Sequence, residues 1–144
     1  MAVEDGLHPK YPIVEGDVPL TARWQITLPQ KFNQRIEDGT LVLWRPGLTV
    51  WLNAYGTEDG MSIDERIARD RANASDDAVD MEQFESGGVT YLIYRLDHEA
   101  ESDASHSLYG FAHATDGQII AAFYFDNEAE LSVARAIAGS LRLK

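Results

Sequence analysis

The chain has 144 residues, 44% of them hydrophobic and 10% aromatic, which suits one domain with one sizeable core and is too aromatic for a disordered chain. It carries 24 acidic side chains against 12 Lys and Arg, so a phosphate backbone meets a repulsive field and nucleic acid is not an expected partner. The absence of cysteine removes disulfides, thiolate nucleophiles and cysteine-ligated metals.

Residues 1–20 hold three of the five prolines and read as an extended N-terminal arm. They contain neither the basic nor the apolar segment of a secretory signal. No apolar run in the chain reaches the length of a membrane span, so the expectation is a cytoplasmic protein that does not engage a membrane. The remainder, 21–144, reads as an α/β sandwich, giving a single domain over 1–144.

In TARWQITLP, Ala22, Trp24, Ile26 and Leu28 alternate on one face, the pattern of a strand, with Pro29 as its expected end. TLVLW (40–44) and LTVWL (48–52) form the second and third strands around Arg45-Pro46-Gly47. A helix is expected from about 63 to 74, opened by the capping box of Ser62 and Glu65. Ile63, Ile67 and Ala74 make its apolar stripe, and Glu65/Arg69 and Arg66/Asp70 pair on the remaining surface. An acidic connection, SDDAVDMEQFESGG, follows, with room for a short strand around Met81 to Phe84.

The order of elements then repeats. VTYLIYRL (89–96) is β-branched and aromatic, hence a strand. SLYGFAHAT and QIIAAFYFD flank Asp116-Gly117, a hairpin signal. Asp126 or Asn127 can cap a last helix with Leu131, Ala134, Ile137, Ala138 and Leu141 as its apolar stripe. The expected fold is α+β: a mostly antiparallel six-stranded sheet in β3-α-β3-α order, with the helices packed on the sheet.

Pairing assigns faces. A turn centred on Pro46-Gly47 puts Leu43 opposite Val50 and Leu41 opposite Leu52, on the side of Leu48. Val42, Trp44, Thr49 and Trp51 then share the other side. A Pro-Gly turn fits a two-residue hairpin poorly, so a four-residue loop with the same faces is expected. A second turn centred on Asp116-Gly117 gives one face of Leu108, Gly110, Ala112, Ala114, Ile119, Ala121, Phe123 and Phe125. The other face holds Tyr109, Phe111, His113, Ile120, Ala122 and Tyr124. Neither face is polar, so both sides of the sheet should be covered at least in part.

Leu28-Pro29 with Phe32 after the first strand, and Ile137 with Ser140-Leu141-Arg142 in the closing helix, together with the order of elements, resemble the PsbP-like fold. That group includes photosystem extrinsic subunits, a Ran-binding nuclear transport factor and many small bacterial proteins. The resemblance covers about residue 21 to the end and implies a non-enzymatic binding or assembly role; it supplies no site residues.

Chemistry-bearing motifs are sparse. DHEAESDASH (97–106) offers Asp97, Glu99, Glu101 and Asp103 as hard oxygen donors, but lacks the glycine and terminal glutamate of a calcium loop and reads as a solvated connection. SDDAVDMEQFE (75–85) reads the same way. His113 could act as a general base, yet the sequence places no nucleophile or orienting carboxylate beside it. No G-x-S-x-G elbow, Walker sequence or G-x-G-x-x-G occurs. No catalytic residue, metal or cofactor is expected.

The leading expectation is a non-catalytic cytoplasmic binding or assembly protein, using an aromatic sheet face for a protein partner or for self-association as a homo-oligomer. Trp44, Arg45, Trp51, Tyr109, Phe111, His113 and Tyr124 are its candidate ligand- or partner-binding residues. The alternative is a small-molecule-binding protein or enzyme with a pocket near His113, between sheet and helix. A concave pocket lined by His113 would favour the second reading and a flat aromatic patch the first.

Overall fold

The structure, a computed structural model, describes residues 6–56, 60–97, 106–115 and 117–144. In chain order the elements are β1 (Ile13–Pro19), β2 (Trp24–Glu37), β3 (Thr40–Arg45), β4 (Leu48–Tyr55), α1 (Ile63–Asn73), β5 (Val79–Ser86) and β6 (Val89–Asp97). Then come β7 (His106–Ala114), β8 (Gly117–Phe125), a 3-10 turn at Glu128–Glu130, α2 (Leu131–Gly139) and β9 (Arg142–Leu143). The strands form one antiparallel sheet in the order β1-β2-β3-β4-β8-β7-β6-β5, and β9 pairs with the start of β2. Among the described residues, no helix is long and apolar enough to cross a membrane.

The expected six-stranded β3-α-β3-α arrangement is therefore corrected: among the described residues the sheet has nine strands, and four precede α1. β1 and β9 are additions, β2 runs past its expected end, and β5 is the short strand allowed around Met81 to Phe84, lengthened to Val79–Ser86. The N-terminal arm is itself partly a strand, β1, because an edge strand tolerates Pro19 at its end and Gly16 at φ +74. Pro29 does not end β2. It sits where Gly16 pairs with Leu28 but Val14 pairs with Phe32, so residues 29–31 oppose Glu15 alone. A bulge of this kind needs no ladder bond from proline, and the strand runs on to Glu37. β5 is almost wholly exposed and carries little apolar alternation; its pairing with β6 across the positive-φ glycines Gly87 and Gly88 defines it.

The first hairpin has the expected faces, with Leu43 opposite Val50, Leu41 opposite Leu52 and Val42 opposite Trp51. Its loop is shorter than expected. Arg45 pairs with Leu48, leaving Pro46 and Gly47 (φ +89), the proline-then-positive-φ pattern of a type II turn. The second hairpin turns one residue earlier than its Asp-Gly signal implies: Ala114 pairs with Gly117, and Leu108 faces Phe123. The displacement is even on the partner strand, so every side chain keeps its expected face. Asp116 lies outside the described residues. Gly117 serves as a strand residue in close quarters, where a Cβ would come within 3.2 Å of the Tyr55 carbonyl oxygen.

The aliphatic face carries the larger core. Leu43, Val50, Leu52, Leu108, Ile119 and Phe123 are buried there against Ala134, Ile137 and Ala138 of α2. Gly110 permits that approach, since a Cβ on it would lie 3.1 Å from the Ala138 Cβ. α2 contacts β6, β7 and β8 and also β2, which stands far from β6 in the sheet order, so the sheet curls around the helix. Polar contacts close the end of this layer. The Ser140 hydroxyl accepts the Thr27 amide at 3.0 Å, and the Tyr91 hydroxyl donates to the Leu141 carbonyl.

Candidate functional site

The opposite face of the sheet is the aromatic one, and it divides into three zones. α1 covers the zone over β6 and β7. Its capping box forms as expected: Ser62 Oγ accepts the Glu65 amide at 3.1 Å, and Glu65 Oε1 accepts the Ser62 amide at 3.2 Å. Ile67 is buried with Leu92 and Tyr94, and Ile63, Ala74, Tyr109 and Phe111 pack around them.

Arg66 and Asp70, expected on the helix surface, instead point into the sheet. Arg66 is 2% exposed and donates from Nη2 to the Ala114 carbonyl at 2.7 Å. Asp70 is 8% exposed, and its Oδ2 lies 2.5 Å from Nε2 of the fully buried His113. The sequence carried a signal for this. Arg66 lies three residues after Ile63, and Asp70 three after Ile67 and four before Ala74, so the charged pair shares the inward stripe. Buried charge is tolerated only when paired or hydrogen-bonded, and here the compensation is incomplete. Among the described residues, Arg66 Nε and Nη1, His113 Nδ1 and Gln118 Oε1 have no hydrogen-bond partner. His113 and Gln118 are cross-strand neighbours, so the unmet polar atoms gather at one end of the β7–β8 hairpin.

The N-terminal arm covers the zone over β2 and β3. Asn33, fully buried, holds it: Oδ1 accepts the His8 amide at 2.7 Å, while Nδ2 donates to the carbonyls of His8 at 2.9 Å and Tyr11 at 3.3 Å. Tyr11 meets Trp44 edge-on at 5.0 Å between centroids, and the Arg35 guanidinium carbon stands 4.6 Å from the Trp44 ring centroid. Leu7 is buried in the same segment. Trp44 thus anchors the arm.

Between these zones lie β4 and β8. Trp51 pairs across to Ala122, Thr49 to Tyr124 and Asn53 to Ile120, and all six side chains are half-buried. The Tyr124 and Tyr109 hydroxyls are 3.5 Å apart. Burial first, then the Tyr109 hydroxyl, raises the Tyr124 phenol far above its ordinary value; burial likewise raises Tyr94, helped by Tyr109 and Asp70. These phenols therefore stay neutral at physiological pH, and the strip is apolar with hydroxyl edges.

The candidate residues are accordingly dispersed. Trp51 and Tyr124 are in the half-open strip, Tyr109 and Phe111 stand at its border with α1, and Trp44 is under the arm. His113 is sealed beneath α1 beside Asp70, the carboxylate that sequence reasoning could not place. Arg45 departs from the group: it alternates with Trp44, pairs with Glu130 at 3.3 Å, and lines a polar cavity of about 270 Å³ with Glu15, Gln30 and Lys31. A second cavity, of about 200 Å³, lies on the aliphatic side against Leu20, Ile36, Leu41 and Leu52. Neither is lined by His113. Of the acidic loop 97–106, residues 98–105 lie outside the described residues, and the His106 ring stacks on Phe125. In the other acidic stretch, Asp80 and Glu82 pair with Arg95 and Arg135, as in an ordinary solvated surface. Among the described residues no cluster of His, Asp and Glu has the arrangement of a metal site.

No known protein family matches the chain, and no curated protein is detectably similar to it in sequence. A solved structure from Bacteroides thetaiotaomicron is similar in fold, with a TM-score of 0.67 at 12% identity. The similarity covers 91% of this chain but 49% of that one, so the chain spans about half the length of that structure. At this identity the likeness concerns the fold alone.

Proposed function

We propose that this chain is a small cytoplasmic binding or assembly protein without catalytic activity, which holds a protein partner or a second copy of itself on the β4–β8 strip of its aromatic face. The observation that carries the reading is the incompletely buried row Trp51, Ile120, Ala122 and Tyr124, left between α1 and the arm. Aromatic side chains that are already half-ordered supply contact area at low entropic cost.

The alternative, a pocket or active site at His113, has less behind it: Asp70 stands where it could orient the imidazole, but the ring is fully buried while α1 is closed.

Ala122 sits at the centre of the strip, so Ala122→Arg should abolish binding there while the buried aliphatic face stays intact. Sedimentation velocity over a wide concentration range tests the self-association form: the wild type gains mass with concentration and the variant does not. For a different partner, the protein co-purified with the wild type is lost with the variant. A wild type that stays monomeric and co-purifies the same proteins as Ala122→Arg contradicts the proposal.

A further inference from the structure

We propose that α1 is a detachable cover: it lifts from the sheet as a unit, in openings that leave the sheet and its α2 layer intact. The topology permits this. β4 pairs with β8, and β5 pairs with β6, without any contribution from the helix, which leaves the sheet after Tyr55 and rejoins it at Val79. α2, by contrast, is enclosed by strands from distant parts of the sheet and followed by β9, so it cannot leave without dismantling the core.

The way α1 is held also favours release. Ile67 is its one fully covered apolar residue, with Ile63 and Ala74 packed only in part, whereas α2 buries Ala134, Ile137 and Ala138. Much of the remaining attachment is polar: the Asp70–His113 contact, the Arg66 bond to the Ala114 carbonyl, and an exposed Arg71–Gln83 bond at 3.2 Å. Burying the apolar stripe brings a charged guanidinium with it, and two of its nitrogens find no acceptor. His113 Nδ1 and Gln118 Oε1 are left in the same condition. Water would satisfy all four atoms once the helix lifted, so the closed state carries a desolvation cost that the open state does not. This cost offsets part of what the two buried polar contacts contribute, so α1 is held less firmly than α2.

Opening would bare Leu92, Tyr94, Tyr109 and Phe111. Tyr109 and Phe111 pair directly with Ala122 and Ile120, so the newly bared surface would be continuous with the half-open strip. That last consequence rests on the proposed binding role; the opening itself does not.

Native-state hydrogen exchange on the full chain, with no partner present, separates the two. After correction for intrinsic rates, the hydrogen-bonded amides of α1 should exchange about 100-fold faster than the protected amides of β7 and β8, and with little dependence on low urea. Ile137→Val, in the core under α2, should speed β7 and β8 exchange by about 3- to 10-fold and leave α1 unchanged, because the α1 opening does not disturb that core. The proposal is overturned if α1 and sheet amides share one opening in the wild type, or if Ile137→Val accelerates both alike. The wild-type profile decides the matter even where the variant folds poorly. Failure to find a binding partner leaves this result untouched.

Discussion

His113 Nε2 and Asp70 Oδ2 lie 2.5 Å apart beneath α1, linking a strand and a helix 43 residues apart in the chain, with His113 fully buried and Asp70 nearly so. Removing one member of such a pair leaves the other buried without compensation. Asp70→Ala should therefore cost about 3 kcal/mol in urea unfolding, and His113→Ala a similar amount. The double variant should cost clearly less than the sum. Strict additivity, or single losses below about 0.5 kcal/mol, would show that the contact does not hold the helix.

Arg66 should behave differently although it is more buried than Asp70. Arg66→Met keeps the stem's packing, removes the two unpartnered nitrogens, and gives up the bond to Ala114. The gains and losses are of similar size, so the unfolding midpoint should move by less than about 1 kcal/mol in either direction. A loss as large as that of Asp70→Ala would mean that the guanidinium is fully satisfied in solution.

Asn33 ties the arm to the sheet with four hydrogen bonds to its backbone, and Lys10 is an exposed cleavage point within the arm. Asn33→Ala should cost about 2 kcal/mol and speed tryptic cleavage after Lys10 severalfold, while the sheet resists. Cleavage at the wild-type rate would show that Leu7 and Tyr11 hold the arm without it.

Gly110 marks the closest approach of sheet and helix. Gly110→Ala would place a methyl group 3.1 Å from the Ala138 Cβ and should cost about 1–3 kcal/mol by displacing α2. Adding Ala138→Gly should recover part of that loss despite glycine's low helix propensity. If Gly110→Ala is neutral, the helix has freedom to move that the packing denies it.

Local patterns in the sequence were informative where burial is one-sided. The alternation in 40–52 assigned Trp44 and Trp51 to one face, and the pairs Leu43–Val50 and Val42–Trp51 agree. The Ser62–Glu65 cap located the start of α1 to the residue. The sequence is least legible where backbone pairing, rather than side-chain pattern, defines an element: β1 follows Pro12 and ends on Pro19, and β5, though allowed as a short strand around Met81 to Phe84, is longer than its exposed residues suggest. Reasoning from it failed at the candidate site for another reason. Charged residues in a helix are ordinarily solvated, so Arg66 and Asp70 were assigned outward despite lying on the stripe of Ile63 and Ile67, and His113 lost its partner as a result. Arg45 was grouped with Trp44 by adjacency, which in a strand means opposite faces.

The central claim is that the β4–β8 strip is a binding surface, and site-specific photo-cross-linking at position 124 tests it most directly. A photo-reactive phenylalanine analogue in place of Tyr124 preserves the aromatic character of the strip and reports whatever rests on it. The account predicts a discrete cross-linked product in cells, either with one partner or with a second copy of the chain, and its loss when Ala122→Arg is added. The same group at exposed Glu85 should give no such product. Cross-linking at 124 no greater than at 85, or undiminished by Ala122→Arg, would contradict the account.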